Sequence, residues 1–176
     1  MIKKTALLLL SSCLFSLQAH AQGAAPEMFG VREIVINFAH FDDAEASDAC
    51  GLSRDQVAGV LTKALAGTGV PVISIVDAKP MATGVARINL IPEISTHSDE
   101  NLGCVSWVSL SAESHARLSI PPVNTLRGVT VLYWRQHTVV SSGQSIHEQR
   151  IDEVLQKMAG MFAQQYKLDQ PPEISQ

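Results

Sequence analysis

The sequence lacks the local motifs that mark the common classes of enzyme. No serine stands in the tight glycine turn of a nucleophile elbow, and Ser141-Ser142-Gly143 does not match one. No glycine-rich phosphate loop follows a predicted strand, since Gly67-Thr68-Gly69 ends a predicted helix instead. Paired carboxylates on facing strands, which glycoside hydrolysis needs, are missing too. We therefore expect a protein without catalytic residues and without a cofactor.

The sequence also lacks an apolar run long enough to cross a membrane as a helix of about 20 residues. Its apolar run from Ala6 to Leu17 follows a short basic region, and Ala19-His20-Ala21 offers small residues at the positions that a signal peptidase reads. We therefore expect residues 1–21 to be a signal peptide cleaved before Gln22, and the mature chain to be periplasmic. A second interpretation stays open, in which the chain is a lipoprotein anchored at Cys13.

Basic residues are in deficit. The chain carries 13 Lys and Arg against 17 Asp and Glu, a formal net charge of −4. The expected cleavage removes Lys3 and Lys4 and no acid, which leaves 11 basic residues and a net charge of −6. This balance argues against nucleic acid or anionic lipid as a partner.

Cysteine is scarce. Cleavage removes Cys13, so Cys50 and Cys104 remain. Two cysteines in an oxidising compartment are expected to form one disulfide. A redox pair or a thiolate metal site is disfavoured, because the chain has no Cys-x-x-Cys spacing.

The hydrophobic pattern predicts a long antiparallel hairpin. From Val108 to Ile120 the even positions are apolar except Ser114, and the odd positions are polar. This period of two is typical of a strand with one buried face. The run from Arg127 to Val140 is rich in β-branched and aromatic residues and predicts the second strand.

Two helices are predicted by capping boxes that precede apolar stripes. Ser53 with Gln56 opens the first helix, which ends near Gly67. Ser145 with Glu148 opens the second helix, whose stripe runs from Ile151 to Tyr166. Shorter apolar runs predict three further strands, at Val31–Phe38, Val72–Val76 and Val85–Ile94.

The predicted element order is β-α-β-β-β-β-α, an α+β fold. We expect a two-layer sandwich in which two helices pack on a mainly antiparallel sheet of about five strands. Residues 22–30 are expected to be a flexible lead-in, residues 31–168 a single domain, and residues 169–176 a flexible tail. In element order alone the chain resembles small periplasmic assembly domains such as the periplasmic part of the curli secretion pore. No motif of such domains is matched, so no site residue is carried over.

Two groups of polar side chains are weak candidates for sites. The loop around residues 40–48 offers His40, Asp42, Asp43 and Glu45 to a cation, but its spacing is not that of an EF-hand, and a solvated acidic loop is favoured. His97, Asp99 and Glu100 form a similar group. A basic strip on the sheet is expected to pair with Glu93 and Glu113 as ordinary cross-strand partners. Its members are Arg87, His115, Arg117, Arg127, Arg135 and His137.

Three aromatic residues are candidates for a contact surface. Trp107 occupies the strand parity that is polar elsewhere, and a β-bulge near Trp107 or Val108 is the structural alternative. Tyr133 and Trp134 are neighbours in a strand, so one of them is expected to point away from the helices. Tryptophan and tyrosine are typical anchors of protein interfaces.

The preferred function is a non-catalytic exported domain that binds another protein or serves as an accessory in cell-envelope assembly. The alternative is a periplasmic protein that binds a small ligand or metal through residues 40–48. An envelope hydrolase is the third hypothesis. Self-association is left open.

Overall fold

The computed structural model describes residue 28 and residues 30–38, 49–74, 86–99, 103–120 and 125–170, without the side chains of residues 117–120, 125 and 126. The expected signal peptide, the lipid anchor at Cys13, most of the lead-in and most of the tail lie outside these ranges. The described elements follow the predicted order and are β1 (Glu33–Ile36), α1 (Arg54–Leu65), β2 (Val72–Ser74), β3 (Arg87–Asp99), β4 (Gly103–Ile120), β5 (Thr125–Ser142) and α2 (Gln144–Leu168).

The five strands form one mixed sheet in the order β2-β1-β3-β4-β5. β1 runs parallel to both β2 and β3, whereas β3, β4 and β5 are antiparallel to one another. α1 lies between β1 and β2 and supplies the crossover that this parallel pair needs. The α+β class and the mainly antiparallel sheet are therefore confirmed.

Both helices bury their apolar stripes on one face of the sheet. Alternate residues of β1, β3 and β4 supply that face and are almost completely buried, among them Ile34, Ile36, Ile88, Leu90, Val108 and Leu110. The helices cover it with Val57, Leu61, Leu65, Ile151, Leu155 and Phe162. Within the described ranges, neither helix is long and apolar enough to cross a membrane.

A disulfide ties the segment before α1 to the start of β4. Cys50 precedes α1, Cys104 stands at the start of β4, and their sulfur atoms are 2.02 Å apart. Both cysteines are buried. The predicted pairing is confirmed.

The two helix starts differ from the predicted capping boxes. Ser53 caps α1 as expected, since its Oγ accepts a hydrogen bond from the Gln56 N–H at 3.3 Å. The Gln56 side chain, however, donates to Asp152 of α2 at 2.6 Å instead of reaching back. The second predicted capping box, Ser145 with Glu148, is wrong. β5 continues to Ser142, and Gly143 takes the N-cap position without a side-chain hydrogen bond.

The strand predicted at Val85–Ile94 extends further than expected. β3 continues to Asp99, so that residues 95–99 pair with the first residues of β4. β1 pairs with β3 only as far as Leu90. Pro92 lies just beyond that point, in the part of β3 that has no pairing with β1, and proline is confined to such edge positions in sheets.

The β-bulge lies in a different place from the one predicted. Pairing between β4 and β5 is regular from Cys104 to Ala112 and shifts between Ala112 and Glu113. Ala112 faces Trp134, and Glu113 faces Leu132. Tyr133 is therefore the extra residue, and no bulge occurs at Trp107.

We predict that Gly103→Ala destabilises the fold by about 2 kcal/mol or more. Gly103 has a φ of +80°, and an added Cβ would lie 2.5 Å from the Ser142 carbonyl oxygen and 3.1 Å from the Gly143 Cα. Denaturant unfolding measures the effect. Gly128→Ala is the matched control, because nothing lies within 4 Å of its added Cβ and the free energy of unfolding should stay equal or rise slightly. Equal losses in the two variants would contradict the account.

Candidate functional site

The sheet has a second face, called here the outer face, that points away from the helices. On β4 it carries the odd-numbered positions, because the even-numbered Val108, Leu110 and Ala112 pack in the core beneath the helices. Towards the middle of β4 this face is closed, since Ser109 and Ser111 are buried. Towards the start of β4 it is open, and large apolar side chains lie there.

We call Val105, Trp107, His137 and Val139 the Trp107 patch. Trp107 and Val139 lie directly opposite each other on β4 and β5. Their exposed fractions are 39% and 63%. The Trp107 and His137 rings stack with their centroids 6.4 Å apart and their planes inclined by 29°. Because the pairing here is regular, the exposure of Trp107 follows from the alternation of the strand, and the structural alternative of a bulge at this residue is excluded.

Tyr133 and Trp134 do not point to opposite faces, so the expectation based on strand alternation is wrong. The Trp134 ring meets Phe162 of α2 edge to face, with centroids 5.6 Å apart. The Tyr133 hydroxyl lies 3.0 Å from the Ser114 Oγ, and both aromatic residues pack against the core. The physical reason is the bulge, which adds one residue and turns both rings to the helix side. Leu132 takes the outer face and is 45% exposed.

β5 forms one edge of the sheet. Among the described strands it pairs only with β4, from Thr125 to Ser142 with Tyr133 as the extra residue. A cleft of about 290 Å³ runs between this edge and α2. It is lined by Gln136, His137 and Thr138 of β5 and by Val154, Lys157, Met158 and Met161 of α2. The outermost strand is therefore accessible from the Trp107 patch on one face and from the cleft on the other.

Two members of the predicted basic strip lie beside carboxylates. Arg87 forms an ion pair with Glu33 of β1, not with Glu93. Arg135 lies 3.6 Å from Glu113, which is the expected cross-strand pairing. His115 and Arg127 are exposed, and the Arg117 side chain lies outside the described part of the structure.

A buried chain of polar side chains lies under the start of α2. His147 is inaccessible to solvent, and its Nε2 lies 2.8 Å from the Ser106 Oγ while its Nδ1 lies 2.8 Å from the Ser142 Oγ. Thr96 extends the chain, since its Oγ1 is 2.8 Å from the Ser106 Oγ. A serine beside a histidine is the arrangement of a nucleophile and its base. Here the pair is buried, so it joins β3, β4, β5 and α2 and offers no surface to a substrate.

We predict that His147 makes stability depend on pH. Burial lowers the pKa of His147 below its usual value. Below about pH 6.5 the unfolded chain therefore takes up a proton that the folded chain does not. The contribution of His147 to the free energy of unfolding is therefore complete above about pH 6.5. It is lost as the pH falls towards the pKa that His147 has in the folded protein.

Denaturant unfolding between pH 7 and pH 5 tests this prediction. His147→Gln should show a smaller loss of unfolding free energy over that range than the wild type. The matched control is His137→Gln, which makes the same substitution at an exposed position. Parallel pH profiles for the wild type and His147→Gln would refute the assignment.

The metal candidates His40, Asp42, Asp43 and Glu45 lie outside the described residues. In the part of the chain that the structure describes, no group of three or more ligating side chains could hold a metal ion. His97 is exposed on β3 opposite Val105, and Asp99 lies opposite Gly103 at the end of that strand. Glu100 falls in an undescribed segment.

Comparison with known proteins gives no family. The sequence matches no family model and no curated protein. Two solved structures are similar over 78% of this chain. One is a minor lipoprotein from Acinetobacter baumannii, with 8% identity, 94% of that chain covered and a TM-score of 0.35. The other is a putative neuraminyllactose-binding hemagglutinin homolog from Helicobacter pylori, with 12% identity, 82% of that chain covered and a TM-score of 0.27. TM-scores this low do not establish a shared function.

Proposed function

We propose that this protein is a non-catalytic exported domain that binds another protein of the cell envelope through the outer face of its sheet. The observation that carries the proposal is the Trp107 patch. Two large apolar side chains, Trp107 and Val139, lie opposite each other and stay accessible on a face that the helices do not cover. Exposed apolar residues that adjoin one another mark interaction sites, and tryptophan is enriched among the residues that dominate binding energy.

The disulfide supports the exported location. Cys50 and Cys104 are bonded to each other, and disulfides persist in oxidising compartments such as the bacterial periplasm. The amino-terminal sequence supports the same route, because its basic region, apolar run and Ala19-His20-Ala21 have the anatomy of a signal peptide.

Affinity capture from an envelope extract of the source organism tests this function. The double variant Trp107→Ser/Val139→Ser should fold and lose the protein that the wild type retains. The matched control is Ile146→Ser/Leu168→Ser, which removes two equally apolar and exposed residues of α2 and should retain it. Equal retention by both double variants would overturn the proposal, as would no specific capture by the wild type.

A further inference from the structure

We propose that the β5 edge is a strand-addition site that takes an extended acidic segment of the partner. This inference rests on the proposed function and specifies the chemistry of the partner. In strand addition, main-chain hydrogen bonds to a sheet edge give affinity, and pockets for alternate side chains give specificity. β5 provides both a long edge and a different surface on each side of it.

The half of β5 that follows the bulge suits an added strand. From Trp134 to Ser142 it pairs with β4 through nine consecutive residues without a shift. A regular strand presents unpaired main-chain groups at even spacing along its free side, whereas a bulge bends the edge. Residues 135–140 alone offer about 20 Å of edge at 3.3 Å per residue. At the opposite edge of the sheet, the described part of β2 has three residues.

The cleft and the Trp107 patch would receive the side chains of the added strand on its two sides. On the helix side, Val154, Met158 and Met161 line the cleft, and Met161 is 41% exposed. Methionine adapts to side chains of different shape, so this side suits apolar residues. On the outer side, an added strand would lie beside Arg135, His137 and Val139.

The basic residues beside the β5 edge favour an acidic partner. β5 contains Arg127, Arg135 and His137 and no acidic residue, and Lys157 of α2 borders the cleft. Two carboxylates near this edge lie beside cations, Glu113 at 3.6 Å from Arg135 and Glu153 at 2.9 Å from Arg150.

A second copy of β5 would therefore bring arginine and histidine against arginine and histidine. Like charges on facing strands are unfavourable. An acidic segment meets the opposite charge, and its attraction to this edge also raises the rate of encounter. The expected pattern is an alternation of acidic and apolar residues, with the acidic side chains on the outer face.

A synthetic peptide provides the probe. A fluorescent peptide of four Leu-Glu repeats should bind the full mature protein in fluorescence anisotropy titrations, and a matched peptide of four Leu-Lys repeats should bind at least tenfold more weakly. Arg135→Gln, which removes the arginine on the outer side, should weaken the Leu-Glu peptide about tenfold. Lys63→Gln on α1 is the control for the loss of a basic residue elsewhere and should leave binding unchanged.

Methylation of the peptide backbone separates strand addition from simple charge attraction. In an extended chain successive N–H groups point to opposite sides. Methylating all leucine amides blocks one side of the peptide, and methylating all glutamate amides blocks the other. We expect one of these two peptides to lose binding and the other to keep it.

Equal binding of the two methylated peptides, or loss of binding by both, would refute strand addition. Absence of Leu-Glu binding, or equal binding of the Leu-Lys peptide, would refute the acidic partner. These failures are distinct from failure of the proposed function. If the envelope extract still yields a protein that depends on Trp107 and Val139, the binding role stands and only the edge proposal falls.

Discussion

Replacing Cys50 and Cys104 together by alanine is expected to lower the free energy of unfolding by about 4 kcal/mol. The two residues are 54 positions apart in sequence, and the bond between them removes conformations of that long loop from the unfolded chain. Both side chains are buried in the core. Replacing them therefore removes no unfavourable exposed group whose loss could offset the destabilisation. Denaturant unfolding of the mature protein measures the difference.

The wild type after reduction provides the control for this prediction. Without the bond it should unfold at nearly the same denaturant concentration as the double variant, because both lose the same restriction on the unfolded chain. The reduced protein should regain its stability on reoxidation. A loss below about 1 kcal/mol would contradict a structural role for the bond, since native disulfides in small exported domains contribute about 2 to 5 kcal/mol.

Phe162→Ala is expected to destabilise the protein by about 4 kcal/mol, within the range for a fully buried phenylalanine. Phe162 is inaccessible to solvent and lies between Trp134 of β5 and Tyr166 of the same helix, at centroid distances of 5.6 and 6.4 Å. Removing the ring leaves a cavity under the second half of the sheet and removes the support of Trp134.

The neighbouring residue gives a matched control for Phe162→Ala. Met161 is 41% exposed on the same helix turn, so Met161→Ala should change the free energy of unfolding by about 0.5 kcal/mol or less. Thermal or denaturant unfolding of both variants decides the point. Similar losses at the two positions would show that this face of α2 is not packed as the structure has it, and the helix-side position of Trp134 would then be in question.

Features with a period along the chain were predictable from the sequence. The alternation around Leu110 and the stripe from Ile151 to Tyr166 each depend on neighbours in sequence, so strands, helices and their order could be read directly. The disulfide was predictable because cleavage would leave two cysteines. Contacts between residues that are distant in sequence were harder to predict. The Gln56 side chain bonds Asp152 on the other helix, and no local capping rule contains that partner.

The candidate site was predictable only in part, for the same reason. Trp107 was found because it breaks the polar parity of its own strand. The helix-side position of Tyr133 was missed, because a bulge depends on the register between two strands and leaves no fixed mark in either. The cleft beside Met158 and Met161 and the edge position of β5 depend on strand order, which hydrophobic periodicity does not specify.

The burial of His147 is a second feature that the sequence did not predict. His147 is five residues after Ser142 and far in sequence from Ser106, and nothing in that spacing distinguishes it from an exposed histidine on a helix. Its burial follows from the direct connection of β5 to α2 through Gly143, which places the first turn of the helix on the sheet. The sequence signal for such a buried histidine is a polar residue in a predicted first helix turn, close to a strand that has serines on its buried face.

Site-specific photocrosslinking tests the central claim, that the outer face of the sheet beside β5 is the surface that binds a partner. A photoreactive amino acid at Val139 should crosslink one defined protein when the exported chain is expressed in its source organism. The same amino acid at Leu168, the exposed end of α2, should crosslink no such protein. Crosslinking of the same protein from Leu168 as strongly as from Val139, or no product from Val139, would contradict the account.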